Sequence, residues 1–183
     1  MSWIRETTWI VIENGIYTEY RLDDKTGWEV GRAAGQIRPD IDLHAPTVSR
    51  QQGKLRNAGG IWFYVEHRGK NGTFRNGRQI TTGVGGMVKP QMLEHGDVMI
   101  FGAGKEPVIN SRTVWTLFLE RRPKGACREE YIGDLQKICV QSGAEQQIYS
   151  RPAPGSVIET EYGLAICMGE MAYLLGDISV TKV

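Results

Sequence analysis

A chain of 183 residues with 40% hydrophobic and 23% charged residues has the apolar content for one ordinary domain, or for one domain with a substantial appendage. Its formal net charge of +1 excludes a nucleic-acid binder with a broad basic face, and no apolar run approaches the length of a membrane span. The three cysteines, Cys127, Cys139 and Cys167, form no C-x-x-C pair and have no histidine at zinc spacing, so neither a disulfide framework nor a metal site is expected.

The N-terminus, Met1-Ser2-Trp3-Ile4-Arg5-Glu6, has no basic segment leading into an apolar one, and a cytoplasmic protein is expected. From there to residue 120 the chain reads as β structure. Segments rich in β-branched and aromatic residues recur at 9–13, 16–22, 28–30, 61–66, 98–101 and 114–120. Turn signals separate them: Glu13-Asn14-Gly15, Asp23-Asp24-Lys25-Thr26-Gly27, Asn57-Ala58-Gly59-Gly60 and Gly83-Val84-Gly85-Gly86. Short strands punctuated in this way predict an all-β sandwich or barrel. Alternation is clear over 16–22 and weaker over 62–65, where a strand covered on both faces is the expectation.

Arg121-Arg122-Pro123-Lys124-Gly125 combines charge, proline and glycine after a strong strand and predicts a boundary, giving a domain over 1–120 and an extension over 121–183. Residues 129–141 are expected to form a helix, with acids in the first turn and Ile132, Leu135, Ile138 and Cys139 on one face. Gly133 weakens it by roughly 1 kcal/mol relative to alanine. Strands at 157–160, 164–168 and 171–175 complete a small mixed helix and β-meander extension, read as docked on the sandwich rather than independent.

Charge is unevenly spread. Nine Lys/Arg stand against three acids between Arg32 and Arg78, which on a nearly neutral chain points to a small anionic ligand. The same region carries five signatures in order: Gly31-Arg32; Asp40-Ile41-Asp42-Leu43; Pro46-Thr47-Val48-Ser49-Arg50-Gln51-Gln52; Asn71-Gly72-Thr73-Phe74-Arg75-Asn76-Gly77; and Leu93-Glu94-His95-Gly96-Asp97-Val98-Met99-Ile100-Phe101-Gly102. This series resembles the forkhead-associated (FHA) domain, a phosphothreonine-binding antiparallel β-sandwich, over roughly residues 9–120.

The residue types suit that ligand. A phosphothreonine brings about −1.5 to −2 charges and three strong acceptor oxygens. Arg32 offers a planar guanidinium for charge-assisted hydrogen bonds, and Ser49 a compact hydroxyl. Arg50 adds a second cation or a backbone N–H, and Asn71 an amide for the peptide main chain. The resemblance implies that Arg32 and Ser49 hold the phosphate and Asn71 clamps the peptide backbone. It implies also that Thr73 and Asn76 shape the loop from within, and that Gly31 and Gly72 allow the turns. Where the family has a histidine bracing the loop, this chain has Gln52, whose amide can replace some of its hydrogen bonds. Where the family has Ser or Thr before Asn-Gly-Thr stands Lys70, expected either to add a phosphate contact or to favour an acidic ligand residue. Arg50, Lys70, Arg75 and Arg78 are expected to form a basic rim, and the three histidines to be structural or superficial.

No enzyme motif is present. Gly102-Ala103-Gly104-Lys105-Glu106 lacks the earlier glycine and the Ser/Thr after lysine that a nucleotide phosphate loop needs. The expected function is therefore non-catalytic and cofactor-free. The protein is expected to be a signalling adaptor that binds threonine-phosphorylated proteins downstream of a Ser/Thr kinase, with no nucleic-acid or membrane partner. The alternative is a protein–protein scaffold of the same fold that does not depend on phosphate.

Overall fold

The computed structural model describes residues 2–67, 71–80 and 89–183. The chain divides into two compact units: Glu6–Glu120, and Arg121–Val183 together with the N-terminal residues up to Arg5. The short strand β1 (Trp3–Ile4) belongs to the second of these.

The first unit is built from β2 (Thr8–Glu13), β3 (Ile16–Arg21), β4 (Gly27–Gly31), β5 (Ile41–Asp42), β6 (Gly53–Ala58), β7 (Ile61–Glu66), β8 (Thr73–Arg75), β9 (Arg78–Gln79), β10 (Gln91–Met92), β11 (Val98–Phe101) and β12 (Val114–Leu119). These form two sheets, ordered β3-β2-β12-β11-β8-β9 and β10-β7-β6-β4-β5. All pairings are antiparallel except β4 with β5, which runs parallel with Val30 opposite Ile41 and Gly31 opposite Asp42. Apolar residues at every second position supply the core between the sheets. Trp9 and Val11, Met99 and Phe101, and Val114 and Phe118 come from the first sheet. Val30, Leu55, Trp62 and Tyr64 come from the second. The Tyr64 and Phe101 rings meet edge-on across the sheets, their centroids 5.5 Å apart.

Strand β7 departs from the expectation of a strand covered on both faces. Trp62, Tyr64 and Glu66 are buried whereas Phe63 and Val65 are half-exposed, a period-two pattern that carries the acid at position 66 inward. Strand β6, Gly-Lys-Leu-Arg-Asn-Ala, escapes sequence reading because it has no β-branched or aromatic residue and Leu55 is its one large apolar side chain. The Gly83–Gly86 turn signal lies outside the described residues.

The second unit is also all-β, which corrects the expected mixed helix and meander. Its strands are β1, β13 (Arg122–Pro123), β14 (Arg128–Tyr131), β15 (Lys137–Ser142), β16 (Glu145–Ser150), β17 (Ser156–Glu159), β18 (Gly163–Met168), β19 (Met171–Gly176) and β20 (Ser179–Lys182). They form the sheets β1-β13, β14-β19-β18-β17 and β16-β15-β20. Among the described residues the only helical element is the 3-10 turn Leu22–Asp24. The helix expected over 129–141 is instead strand, turn and strand. Gly133 sits at φ 61°, in the left-handed region that no α-helix uses, and Ile138, Val140 and Ser142 are buried at alternate positions. Ile132 and Ile138, assigned to a helix face, do reach a core, together with Val140, Ile158, Ala165, Cys167, Leu174 and Val180. No helix of the described residues is long and apolar enough to cross a membrane.

Candidate functional site

The candidate ligands gather on the loop between β5 and β6. Arg32 directly follows β4, and its backbone N–H donates to the Ser49 carbonyl at 3.3 Å. Its Nε donates to the Val48 carbonyl at 3.0 Å, which fixes the guanidinium by one edge. Its two terminal nitrogens have no protein partner among the described residues. Asn71 comes from the other side of the loop, donating from Nδ2 to the Thr47 carbonyl at 2.8 Å. Three consecutive carbonyls, those of Thr47, Val48 and Ser49, thus tie together side chains and backbone separated by up to 24 residues in sequence.

Gly31 serves this arrangement in a way not foreseen. It was expected to permit a turn, but its φ is not positive; what matters is the missing Cβ. A Cβ there would lie 2.0 Å from the Arg50 carbonyl oxygen and 3.3 Å from that of Ser49. Glycine lets the loop lie directly on the strand end, while the Arg50 side chain is left exposed. Gly72 combines both roles, with φ 81° and an absent Cβ that would meet the Gly104 carbonyl oxygen at 2.0 Å.

The β11–β12 loop, rejected from sequence as a nucleotide site, closes the cluster. Gly104 N–H donates to the Asn71 carbonyl at 2.5 Å, and Gly102 N–H to the Gly72 carbonyl at 3.0 Å. Thr47 Oγ1 donates to the Arg112 carbonyl. The loop therefore acts as a buttress for Asn71 and Thr47.

Beneath Ser49 lies a buried polar network centred on Gln52, which is 2% exposed. The Ser49 backbone N–H donates to Gln52 Oε1 at 3.1 Å, so the glutamine does brace the loop. Its Nε2 donates to Glu66 Oε1 at 2.8 Å and to Thr73 Oγ1 at 2.9 Å. The Thr73 hydroxyl in turn donates to Glu66, and Tyr64 Oη reaches the same carboxylate oxygen at 3.3 Å. Burial pushes the Glu66 carboxyl above its ordinary value, against the opposing pull of the hydrogen bonds from Thr73, Tyr64 and Gln52. Burial, and then the neighbouring Glu66, push the Tyr64 phenol well above its ordinary value, so it remains a neutral donor.

The remaining candidates divide. Asn76 sits at φ 50° in the β8–β9 turn, where its side chain donates to Asp97 Oδ1 at 2.9 Å and accepts from Val98 N–H at 2.8 Å. Its role is to fasten that turn to β11. Arg75 is not rim: its guanidinium pairs with Asp97 at 2.7 Å and donates to the Met92 carbonyl at 2.5 Å. Arg78 is exposed on β9. Lys70 lies outside the described residues. Glu66, Tyr64 and Thr47 were missed in the sequence. Counting by twos from Trp62 would have placed Glu66 inward, whereas nothing local marks Thr47. Among the described residues no group of His, Cys, Asp and Glu could hold a metal ion.

Residues 28–102 match the family model of the FHA domain, a span from β4 to the residue after β11. No curated protein sequence matches the chain. Solved structures similar to it include the FHA domain of the CT664 protein from Chlamydia trachomatis, 21% identical, with 62% of this chain and 96% of that one covered and a TM-score of 0.47. Full-length yeast Pml1p is 19% identical over 63% of this chain and 81% of its own, with a TM-score of 0.48. An FHA domain solved for analysis of its phosphothreonine-dependent interactions is 20% identical over 62% of this chain and 95% of its own, with a TM-score of 0.42.

Proposed function

We propose that the chain, which carries an FHA domain over residues 28–102, is an adaptor that binds threonine-phosphorylated proteins downstream of a Ser/Thr kinase. One observation carries the reading: Arg32 is held by its Nε edge on the very loop that presents Ser49, with both terminal nitrogens unengaged among the described residues. A guanidinium fixed in this way is organised in advance to give parallel charge-assisted hydrogen bonds to phosphate oxygens. Ser49 supplies a hydroxyl, and Arg50 an exposed cation, beside it. Asn71 spends one side-chain amide hydrogen on Thr47 and keeps the second and its side-chain Oδ1 for the main chain of a bound peptide. Lys70 enters this reading only through its place next to Asn71 in sequence, as a further positive charge. Gly31, Gly72, Thr73 and Asn76 hold the loops and do not touch ligand.

Phosphate charge supplies most of the discrimination against unmodified peptide in this reading, and no catalytic step is involved. The test is a fluorescence-polarisation titration with phosphothreonine, phosphoserine and unmodified peptide pools. Saturable binding confined to the phosphothreonine pool, lost in Arg32→Ala with the unfolding midpoint little changed, is the expected result. Equal binding of unmodified peptide would point to the phosphate-independent scaffold instead.

A further inference from the structure

The network under Ser49 contains one acceptor-only group, and it determines the direction of every hydrogen bond around it. Ionised Glu66 can only accept, so Thr73 and Gln52 must donate to it, while the single Tyr64 phenolic hydrogen is shared between this carboxylate and the Gln52 backbone carbonyl, each 3.3 Å away. With its hydrogen committed to Glu66, Thr73 Oγ1 accepts from the other hydrogen of Gln52 Nε2. Both amide hydrogens are then used, and Gln52 Oε1 is the end left to face the Ser49 N–H. Gly53 makes room for the phenol in this set: a Cβ there would lie 2.3 Å from Tyr64 Oη. Tyr64, on the same strand, is the titratable group facing Glu66 among the described residues; Gln52, immediately before β6, and Thr73, on β8, are neutral.

We infer that Glu66 is a positioning residue whose ionised carboxylate orients the Gln52 amide and thereby anchors the Ser49 loop, so that proton uptake at this one buried group releases the loop. A protonated Glu66 is itself a donor. It no longer requires Gln52 to present Nε2, and an amide turned the other way sets two donors, Nε2–H and Ser49 N–H, against each other. The functional meaning of the anchor rests on the reading of Ser49 as a phosphate ligand, but the anchoring itself is measurable without ligand.

Acid acts on loop and fold in opposite directions. Because burial raises the Glu66 pKa, the folded state favours the protonated carboxyl. This group's contribution to global stability is therefore full below its unfolded value and lost as pH rises through its native one. Anchoring of Ser49 instead holds above the native pKa and is lost as pH falls through it. Release of the loop on acidification is thus distinct from unfolding.

The experiment is amide hydrogen exchange by NMR on the full chain, followed from about pH 7.5 down to the lowest pH at which the chain stays folded, because the ordinary carboxyl range lies at the acid end and burial of Glu66 moves it upward. Exchange rates are divided by the intrinsic rate at each pH. The Ser49 amide of the wild type is expected to lose protection by about tenfold while amides of β12 keep theirs. Glu66→Gln is expected to remove the pH dependence. Gln52→Ala, which deletes the acceptor and leaves the carboxylate, is expected to leave Ser49 unprotected at every pH. Wild-type protection at Ser49 that is flat across the range would overturn the inference, as would a wild-type profile in either variant. Failure of phosphopeptide binding in the earlier titration would overturn the functional reading and leave this result standing by itself.

Discussion

At the scale of single residues, contact distances decide more than residue type. Gly31 looks like a turn former in the sequence, yet its importance is the 2.0 Å that would separate a Cβ from the Arg50 carbonyl oxygen. Gly31→Ala must push the loop off the strand, and overpacking of this kind costs roughly 1–3 kcal/mol. Urea denaturation is expected to show that loss, and phosphopeptide affinity to fall with it because Ser49 moves together with Arg50. An unchanged midpoint would mean that the loop yields freely. The candidate ligands Arg32, Ser49 and Asn71 were legible in the sequence, since each stands in a short motif of turn and polar residues. Their common attachment to the carbonyls of residues 47–49 was not, because those hydrogen bonds join positions at least 16 residues apart in the chain. Gln52 illustrates the same limit. Its amide was recognised as a possible brace, but which end faces Ser49 depends on Glu66 and Thr73, on two other strands.

At the scale of elements, short apolar runs were read correctly where alternation was strong and wrongly where a second period fitted as well. Residues 129–141 satisfy a helical face through Ile132, Leu135, Ile138 and Cys139, and they also satisfy a strand through Ile138 and Val140, an alternation that Ser142 continues just beyond the segment. Gly133 at φ 61° decides for the strand, and since a Cβ there would make only ordinary contact with the Tyr131 ring at 3.4 Å, the backbone conformation and not crowding is what requires glycine. The two structures predict opposite signs for one substitution. In a helix Gly133→Ala would stabilise by about 1 kcal/mol, whereas in this turn it is expected to destabilise by about that much. Thermal unfolding of the variant separates them, and a rise in midpoint would contradict the turn. Strands β5, β8, β9 and β10 are two or three residues long, too short for any periodicity to register. They exist because neighbouring strands offer them hydrogen bonds.

At the scale of the whole molecule, each compact unit has its own apolar core, and the thiols give a probe of the second. Cys167 is buried in that core and burial pushes its thiol up to about 11, whereas Cys127 and Cys139 are half-exposed. The thiolate is the reactive form, so a thiol reagent near neutral pH is expected to label Cys127 and Cys139 first and to reach Cys167 only on unfolding. Mass spectrometry of the labelled chain checks this, and early modification of Cys167 would mean that the core opens locally. By itself, the sequence determined the β character of the first 120 residues and the position of the candidate ligands in loops. Alternation, turn chemistry and short polar motifs are local properties that survive without a folded context. Only the tertiary structure decided that residues 129–141 are not a helix, that Arg75 pairs with Asp97 instead of lining a rim, and that Gln52 and Glu66 lie beneath Ser49. Each of these depends on which distant group satisfies a buried donor, acceptor or charge, and that partner is set by packing rather than by the neighbours in the chain.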